Sequence, residues 1–439
     1  MIGTTSVHLI YSLLWFLALP FVVLRLLWRA RRQPAYLQNV AERFGRYRNR
    51  LPAPVIWIHA VSVGETRAAE PLIRALLERW PRHSIVLTHM TPTGRETSRS
   101  LFGQEPRVVR CYLPYDLRWF CDRFLNHFRP TAGIIMETEL WPTLLSRCRT
   151  MGIPVILANA RLSERSANRY ARWPELTRRM LAPLAAIGCQ TDADRERLER
   201  LGARTARTTG NLKFDVLPPD AMLTLSKRFR SRCGGRPVIL AASTREGEEA
   251  LILKSFAGLA PSNALLAIVP RHPQRFDAVA ALISDHGLAL QRRSEDESVR
   301  PSTRVWLGDT MGEMFAYYAA ADLSLIGGSW LPHGGQNPIE ACAVGTPILL
   351  GPHTFNFEEV ARQAIECGAA WRASDVDSGM RRAIALLRDP VALDEASEAG
   401  RRFAAAHRGA TDRTLDLIGS VLSAADRPST IKPDYLAAS

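Results

Sequence analysis

Three glutamates stand directly after apolar segments that have the composition of β-strands. Glu65 follows Val55–Ala60 in the run HAVSVGETRAAEP, and Glu137 and Glu139 follow Gly133–Met136 in IIMETELWP. Ligands of open α/β sheets bind beyond the carboxyl ends of the strands, so carboxylates in these places indicate a functional site. If the backbone stays extended beyond the second strand, the offset of two residues directs both of its glutamates to the same side.

Structural roles account for the same carboxylates and stay open at this point. Glu65 begins a segment with helical periodicity, where an acidic residue complements the helix dipole for about 0.3–1 kcal/mol. Glu137 and Glu139 precede LWPTLL, so they are equally well explained as an acidic cap of the next helix.

Cations follow other strand-like segments. Arg161 lies in NARLSERS and Lys213 in GNLKFD, while Arg271 and His272 lie in PRHPQRF after ALLAIV. A guanidinium presents a fork of N–H donors that suits a phosphate, so Arg271 is the stronger candidate for binding one. Isolated basic residues are usually solvated, and each of these carries little weight alone.

Glycine-rich segments occupy the second half of the chain, at Gly308–Met314 and Gly327–Pro352. Glycines allow backbone amides to approach a nucleotide closely. Asn337 and Pro338 resemble the opening of a helix, whose free amides favour an anion, and Glu340 is placed to accept ribose hydroxyls. The alternative is a glycine-rich connector without a ligand.

Short apolar runs alternate with helix-period segments, which predicts βαβ units and parallel sheets. The expected strands are Val55–Ala60, Ser84–Thr88, Val108–Leu113, Gly133–Met136, Pro154–Ala158, Val238–Ala242, Ala264–Val269, Arg304–Leu307, Ala321–Ile326 and Pro347–Leu350. Neither series opens with G-x-G-x-x-G or contains G-x-x-x-x-G-K-[ST], which argues against a dinucleotide dehydrogenase and a P-loop enzyme. The pattern favours an α/β fold of the GT-B type, with two Rossmann-like domains facing a cleft.

The first 24 residues include the apolar run VHLIYSLLWFLALPFVVL, near the lower limit of about 17 residues for a spanning helix. Arginines follow this run instead of preceding it, which indicates a retained anchor with the rest of the chain on the cytoplasmic side. An interfacial helix lying on the bilayer is the alternative. The expected organisation is an N-terminal membrane-anchor helix with its basic flank (1–35), an N-terminal domain (36–215), a linker (216–236), a C-terminal domain (237–425) and a loose tail (426–439).

The charge and the cysteines limit partners and compartment. A net charge of +14, concentrated near the N-terminus, favours anionic inner-membrane lipids. No zinc finger, RNP or basic-zipper pattern accompanies that charge, so nucleic acid is not expected as a partner. The seven cysteines are scattered without a C-x-x-C pair, which predicts reduced thiols and no metal site.

Ten segments in order resemble the bacterial Kdo transferases, enzymes of lipopolysaccharide assembly that transfer the acidic eight-carbon sugar 3-deoxy-D-manno-octulosonic acid (Kdo). They are SVGE, THMTPTG, YLPYDL, IIMETELWP, NARLS, GNLKFD, VPRHPQRF, GDTMGEM, GG-x9-NPIEA and GPHTFNF, and AERFG after the N-terminal helix fits the same pattern. The resemblance implies metal-independent, inverting transfer from CMP-Kdo to a hydroxyl of the lipid A precursor at the inner membrane. It implies no cofactor, with the acceptor in the first domain and CMP in the second.

The resemblance also implies roles for individual residues. Glu65 of SVGE is the expected general base, and Glu137 and Lys213 match positions that stabilise the transition state. The CMP-binding residues implied by the remaining motifs are Pro270, Arg271, Met311, Gly312, Glu313, Asn337, Pro338, Ile339 and Glu340.

Three other functions fit the sequence less well. A membrane-associated GT-B transferase that uses a UDP-sugar on another lipid is disfavoured by METELWP and GPHTFNF. A noncatalytic lipid-binding or scaffold protein would be expected to lack Glu65, Lys213 or Arg271, and all three are present. An oxidoreductase would require the missing nucleotide fingerprints.

Overall fold

The computed structural model describes residues 4–215 and 217–425, which form two compact units. Unit 1 contains the described residues up to Asp215 and those from Arg408 onward, and unit 2 contains the residues between them. The expected tail at 426–439 lies outside the described residues.

Unit 1 is built on a parallel sheet of seven strands in the order β3-β2-β1-β4-β5-β6-β7. Its strands are β1 (Val55–His59), β2 (Ser84–His89), β3 (Val108–Tyr112), β4 (Pro130–Met136), β5 (Val155–Ala160), β6 (Leu184–Cys189) and β7 (Ala206–Thr208). Its helices are α1 (Thr4–Arg32), α2 (Val63–Arg79), α3 (Pro92–Phe102), α4 (Arg118–Phe128), α5 (Pro142–Thr150), α6 (Glu164–Ala171), α7 (Pro174–Leu181), α8 (Asp192–Arg200) and, from the end of the chain, α17 (Ala410–Ala425).

The strands of unit 1 are apolar along their whole length because helices cover both faces of the sheet. In β1, for example, all five residues of VIWIH are buried, with Trp57 facing one apolar cluster and Ile56 and Ile58 facing the other. The close packing is visible at Gly133 of β4, where an added Cβ would lie 2.6 Å from the Trp57 ring.

The last helix belongs to unit 1, which corrects the expected C-terminal domain of 237–425. Leu415 and Ile418 of α17 are buried in the cluster under the sheet of unit 1. The Asp215 carboxylate accepts the Gly409 amide proton at 2.7 Å, which fixes the returning chain beside the end of the first segment. The apolar face of α17 matches this core, and sequence order alone did not reveal that the chain returns to it.

Unit 2 repeats the architecture with a parallel sheet in the order β10-β11-β9-β8-β12-β13-β14. Its strands are β8 (Val238–Thr244), β9 (Leu265–Pro270), β10 (Leu290–Arg292), β11 (Val305–Leu307), β12 (Leu323–Ile326), β13 (Ile348–Leu350) and β14 (Ala370–Arg372). Its helices are α9 (Asp220–Arg232), α10 (Glu248–Leu259), α11 (Phe276–Asp285), α12 (Met314–Ala320), α13 (Ile339–Val344), α14 (Glu358–Glu366), α15 (Val376–Leu386) and α16 (Pro390–Ala406).

Most of the expected linker at 216–236 is helical and belongs to unit 2. Phe229 of α9 is fully buried, and its ring centroid lies 4.9 Å from those of Trp306 and Tyr317. Phe229 therefore packs α9 into unit 2, whereas the glycines that suggested a linker, Gly234 and Gly235, follow this helix and are exposed.

The N-terminal segment forms α1, a helix of 29 residues with Pro20 inside it. The side chains of residues 4–14, which make up much of the apolar run, lie outside the described part. Among the residues that were described, none of the helices combines the length and the apolarity that a membrane crossing requires.

Candidate functional site

The strand order of unit 1 reverses between β1 and β4, and ligands of open α/β sheets bind at such a switch point. Glu65 lies in the first turn of α2, which follows β1, and Glu137 directly follows β4. Topology therefore brings together two carboxylates that are more than 70 positions apart in the sequence.

Both oxygens of the Glu65 carboxylate are held by hydrogen bonds. The Val61 amide donates to Oε2 at 2.9 Å and the Ser62 hydroxyl donates to Oε1 at 3.0 Å, while Ser62 caps α2. The structural interpretation of Glu65 as a helix-terminus residue is thus correct, and it is compatible with a chemical role because the contacts fix the orientation of the carboxylate. Ser62 was not singled out from the sequence, although S-x-x-E is a capping-box pattern.

The pKa of Glu65 is raised from 4.5 to about 7. Burial is the main cause, and the negative charges of Glu137 and Glu139 also raise the pKa, while the Val61 and Ser62 hydrogen bonds lower it. Burial also raises the pKa of Glu139, with a contribution from Glu137. A carboxylate with a pKa near 7 can accept and release a proton at neutral pH. The three glutamates therefore act on one another electrostatically.

Glu137 is not extended, which corrects the expectation that Glu137 and Glu139 point to the same side. The strand ends at Met136, and Glu137 adopts a left-handed φ of +59°. Such a conformation is uncommon for a residue other than glycine and marks a functional or strained position. The Glu137 carboxylate accepts a hydrogen bond from Lys213 Nζ at 3.1 Å, so these two predicted residues meet.

The alternative that Glu137 and Glu139 cap the next helix is wrong. The free amides at the start of α5, those of Thr143 and Leu144, donate to the carboxylate of Asp116 at 2.9 and 2.8 Å. Asp116 belongs to the YLPYDL segment, whose structural purpose this contact explains. Because Asp116 supplies the cap, Glu137 and Glu139 remain available for another role.

The strand order of unit 2 reverses between β8 and β12. At this point a Cβ on Gly327 would collide with the carbonyl oxygen of Ser243, so only glycine allows the two loops to approach so closely. Buried Glu248 joins them, accepting hydrogen bonds from the amides of Arg245 at 2.8 Å, Gly328 at 2.7 Å and Trp330 at 3.0 Å. A fixed crevice of backbone groups results.

Cations gather at the same edge of unit 2. The amide of Arg271 donates to the Thr244 carbonyl at 3.0 Å, directly after Pro270 ends β9. Burial lowers the pKa of His272, and the positive charges of Arg245, Arg271 and Arg275 lower it further. Arg275 is itself paired with the buried carboxylate of Glu249. Arg245 was missed in the sequence, where the run STREGEE between a strand and a helix was the available signal. This arrangement suits a phosphate.

The loop after β11 presents Met311, which is 56% exposed, and Gly312, which has a φ of +85°. The next residue, Glu313, accepts a hydrogen bond from Arg293 at 3.0 Å and another from the Thr310 hydroxyl. The Glu313 carboxylate is therefore held in place, while the backbone next to it is accessible.

The loop after β12 leads to α13, which Pro338 caps. The Asn337 side chain accepts the Ile339 amide proton at 3.0 Å, so one of the free amides expected to favour an anion is already satisfied. Glu340 lies in the first turn of this helix, as the sequence predicts. The predicted nucleotide-binding residues thus follow β9, β11 and β12, which all end at one edge of the sheet.

Proteins of similar sequence are known. Residues 38–216 match the profile of a family described as 3-Deoxy-D-manno-octulosonic-acid transferase (kdotransferase). A 3-deoxy-D-manno-octulosonic acid transferase of Bordetella pertussis is 46% identical over 91% of this chain and 96% of its own length. The protein of the same name from Haemophilus influenzae is 39% identical over 88% of this chain and 92% of its own.

Solved structures with less similar sequences share the fold. A putative UDP-N-acetylglucosamine 2-epimerase from Listeria monocytogenes is 16% identical, with a TM-score of 0.58 over 87% of this chain and 100% of that one. HepE from Anabaena in complex with UDP is 12% identical, with a TM-score of 0.53 over 84% of this chain and 100% of that one. At these identities the likeness concerns the fold alone.

Proposed function

This chain belongs to the family of 3-deoxy-D-manno-octulosonic acid transferases, and we propose from that premise that it transfers Kdo from CMP-Kdo to the lipid A precursor of lipopolysaccharide. The observation that carries the proposal is the Glu65 carboxylate, which is oriented by two hydrogen bonds and has a pKa of about 7 at the switch point of unit 1.

In the proposed reaction, an acceptor hydroxyl oxygen attacks the anomeric carbon of Kdo. The new C–O bond forms as the bond from that carbon to the phosphate oxygen breaks, CMP leaves with the bonding electron pair, and Glu65 takes the hydroxyl proton. Glu65 suits this task because its raised pKa makes it a stronger base than an exposed glutamate.

Lys213 and Glu137 stabilise the charges that develop during transfer in this proposal. The sugar gains positive character and the leaving phosphate gains negative charge as the bond breaks. The pair is about a quarter exposed, at 22% and 25%, and its contact of 3.1 Å places a cation and an anion side by side at one edge. Such a fixed pair stabilises a transition state without rearranging during the reaction.

Unit 2 binds the CMP portion in this proposal. Arg271 and its neighbouring cations hold the phosphate, and the backbone around Met311–Glu313 and Asn337–Glu340 offers donors and acceptors to the nucleoside. The Kdo portion of the donor also carries a carboxylate, so a cationic surrounding attracts both this carboxylate and the phosphate.

We also propose that α1 holds the protein at the cytoplasmic face of the inner membrane. Leu17, Phe21, Leu24 and Trp28 are 60, 72, 62 and 54% exposed, and their spacing of four, three and four residues forms one stripe. Apolar stripes of this kind face lipid, and the arginines that follow favour anionic head groups. Flotation with vesicles that contain anionic lipid tests this, and binding unchanged by Phe21→Ser with Leu24→Ser would refute it.

The transfer reaction is tested with CMP-Kdo, a tetraacylated lipid A precursor and mass spectrometry of the product. We expect the acceptor to gain the mass of Kdo with the wild-type protein and not with Glu65→Gln. Formation of product from a UDP-sugar, with none from CMP-Kdo, would instead establish the alternative transferase. Binding of both substrates without any transfer would indicate the noncatalytic protein.

A further inference from the structure

A narrow apolar slot opens beside Glu137. Its empty space is about 370 Å³ with the open mouth included, and the surface exposed inside it is almost entirely apolar. Glu137 and Arg161 lie at one part of its lining, while Leu157, Leu198 and Leu201 belong to the apolar part. Apolar spaces of this kind do not hold water well and instead take apolar groups.

One wall of the slot comes from α6 and α7. Tyr170, Thr177 and Met180 line it, and the Thr177 hydroxyl donates to the Tyr170 carbonyl at 2.8 Å, which ties the two helices together. Met180 is flexible and polarizable, so its side chain can swing aside to admit a chain that the narrow slot does not yet accommodate.

Exposed apolar side chains lie at the start of α7, one turn before the slot residues Thr177 and Met180. Trp173, which caps α7, is 68% exposed, and Leu176 one turn further is 44% exposed. A tryptophan this exposed is unusual for a surface in water, because its large ring gains from contact with an apolar partner. The slot therefore has an apolar approach.

A stripe of arginines runs along the same helix pair. Arg165, Arg169 and Arg172 are exposed and recur at a spacing of four and three residues, which places them on one face of α6 and its end. Throughout 4–215 and 217–425, no carboxylate forms an ion pair with any of these three guanidinium groups. By contrast, Arg178 and Arg179 of α7 pair with Glu175 at 3.0 and 2.7 Å.

We propose that the α6–α7 pair is the docking surface for the acceptor lipid, with one acyl chain in the slot and the phosphates of the same molecule on Arg165, Arg169 and Arg172. The inference rests on the proposed function, because it assumes an acylated, phosphorylated acceptor. The apolar slot and the unpaired arginines are complementary to the two halves of one amphipathic molecule. Because Glu137 lines the slot, an acyl chain bound there brings its own molecule near the carboxylates.

The slot is tested with Met180→Trp, which fills it from α7, and Met151→Trp, a matched control at a partly exposed position at the end of α5. Two acceptors are compared, the tetraacylated precursor and its fully deacylated, water-soluble backbone. We expect Met180→Trp to raise KM about tenfold for the acylated acceptor only, which is what the loss of about two buried methylene groups would cost. Equal effects on both acceptors, or no effect on either, would overturn the assignment.

Variants of the arginine stripe are expected to change KM for both acceptors, unlike Met180→Trp. Arg165→Gln with Arg169→Gln should raise KM several-fold for both acceptors, since both keep the phosphates, and leave KM for CMP-Kdo unchanged. Arg178→Gln, on a residue already paired with Glu175, is the control and should change neither value. An effect of the double variant on vesicle binding, with acceptor KM unchanged, would assign the stripe to bulk anionic lipid and contradict the proposal.

A measurement without turnover separates this proposal from the proposed function. The acceptor is made with a diazirine at the end of one acyl chain, crosslinked to the wild-type protein, and mapped by mass spectrometry. We expect labelling within 157–181, even if the protein transfers a different sugar. Labelling confined to α1 would show that the chains stay in the membrane and that the slot is not used. This result also decides the question if Met180→Trp does not fold.

Discussion

The two units share one scaffold and differ in what they place at its switch point. Each has seven parallel strands, with the order reversing between β1 and β4 in unit 1 and between β8 and β12 in unit 2. Unit 1 carries half-buried carboxylates there, with Glu65 at a pKa of about 7. Unit 2 carries arginines and glycine loops, and its buried Glu248 is taken up by three backbone amides. The topology decides where a ligand can bind, and the side chains at the strand ends decide which chemistry follows.

The largest expected difference between the units concerns Glu65. Glu65→Gln keeps the size of the side chain but removes the base, so turnover should fall about 10²–10⁴-fold while CMP-Kdo affinity stays within about twofold. Single-turnover kinetics and calorimetric titration measure the two quantities. Glu70→Gln, on the same helix and paired with exposed Arg74, is the control. Normal turnover of Glu65→Gln would remove Glu65 from the mechanism.

Replacement of Arg271, unlike that of Glu65, should change the affinity for CMP-Kdo. Arg271→Ala removes one charge-assisted contact, so CMP-Kdo affinity should fall about 10- to 150-fold, corresponding to about 1.5–3 kcal/mol. Arg381→Ala, an exposed position on α15, is the matched control. Titration with CMP-Kdo provides the measurement, and unchanged affinity of Arg271→Ala would mean that the phosphate lies elsewhere.

The pKa of Glu65 also predicts how stability depends on pH. Because its pKa is about 7 in the folded protein, above the ordinary 4.5, the folded protein holds this proton more tightly than the unfolded chain does. The stability contributed by the protonated group is present below pH 4.5 and is lost as pH rises through 7. Relative to Glu65→Gln, the wild type should lose at most about 3 kcal/mol over this window.

Thermal unfolding of both proteins at pH 5 and pH 8 measures this difference. The Tm of the wild type minus that of Glu65→Gln should become more negative at the higher pH. A difference that does not vary with pH would show that Glu65 titrates near its ordinary value.

The smallest expected effect is on the free energy of unfolding, in glycine variants of unit 2. Gly327→Ala would place a methyl group against the Ser243 carbonyl, and overpacking of this kind costs about 1–3 kcal/mol. Gly258→Ala on α10 meets open space in a helix, so it should stabilise by about 0.5–1 kcal/mol. Denaturant unfolding compares the two variants, and equal effects would refute the close approach at the switch point of unit 2.

Much of the fold could be predicted from periodicity. All ten expected strands are present, because buried parallel strands are runs of apolar residues that contrast with their neighbours. The strands β7, β10 and β14 have three residues each and lie at sheet edges, where the apolar signal is weak. The longer β6 was also not predicted; its run LAAIGC consists largely of small residues.

The site was predictable in part. The places directly after strand-like segments predicted Glu65, Glu137, Lys213 and Arg271, whose chemical roles stay predictions. The left-handed turn at Glu137 was not predictable, because it depends on what packs after β4. The capping role of Asp116 was not predicted, because the helix that it caps lies further along the chain. The position of Arg245 was not predicted, because its neighbour His272 follows a different strand.

The sequence by itself determined the strand and helix pattern, the family, and the residue types that end each strand, because these depend on local composition and order. Only the tertiary structure decided that α17 returns to unit 1, that Lys213 meets Glu137, and that Glu65 is buried enough for its pKa to reach about 7. Distance, burial and charge between residues far apart in the chain are properties of packing, and no local pattern encodes them.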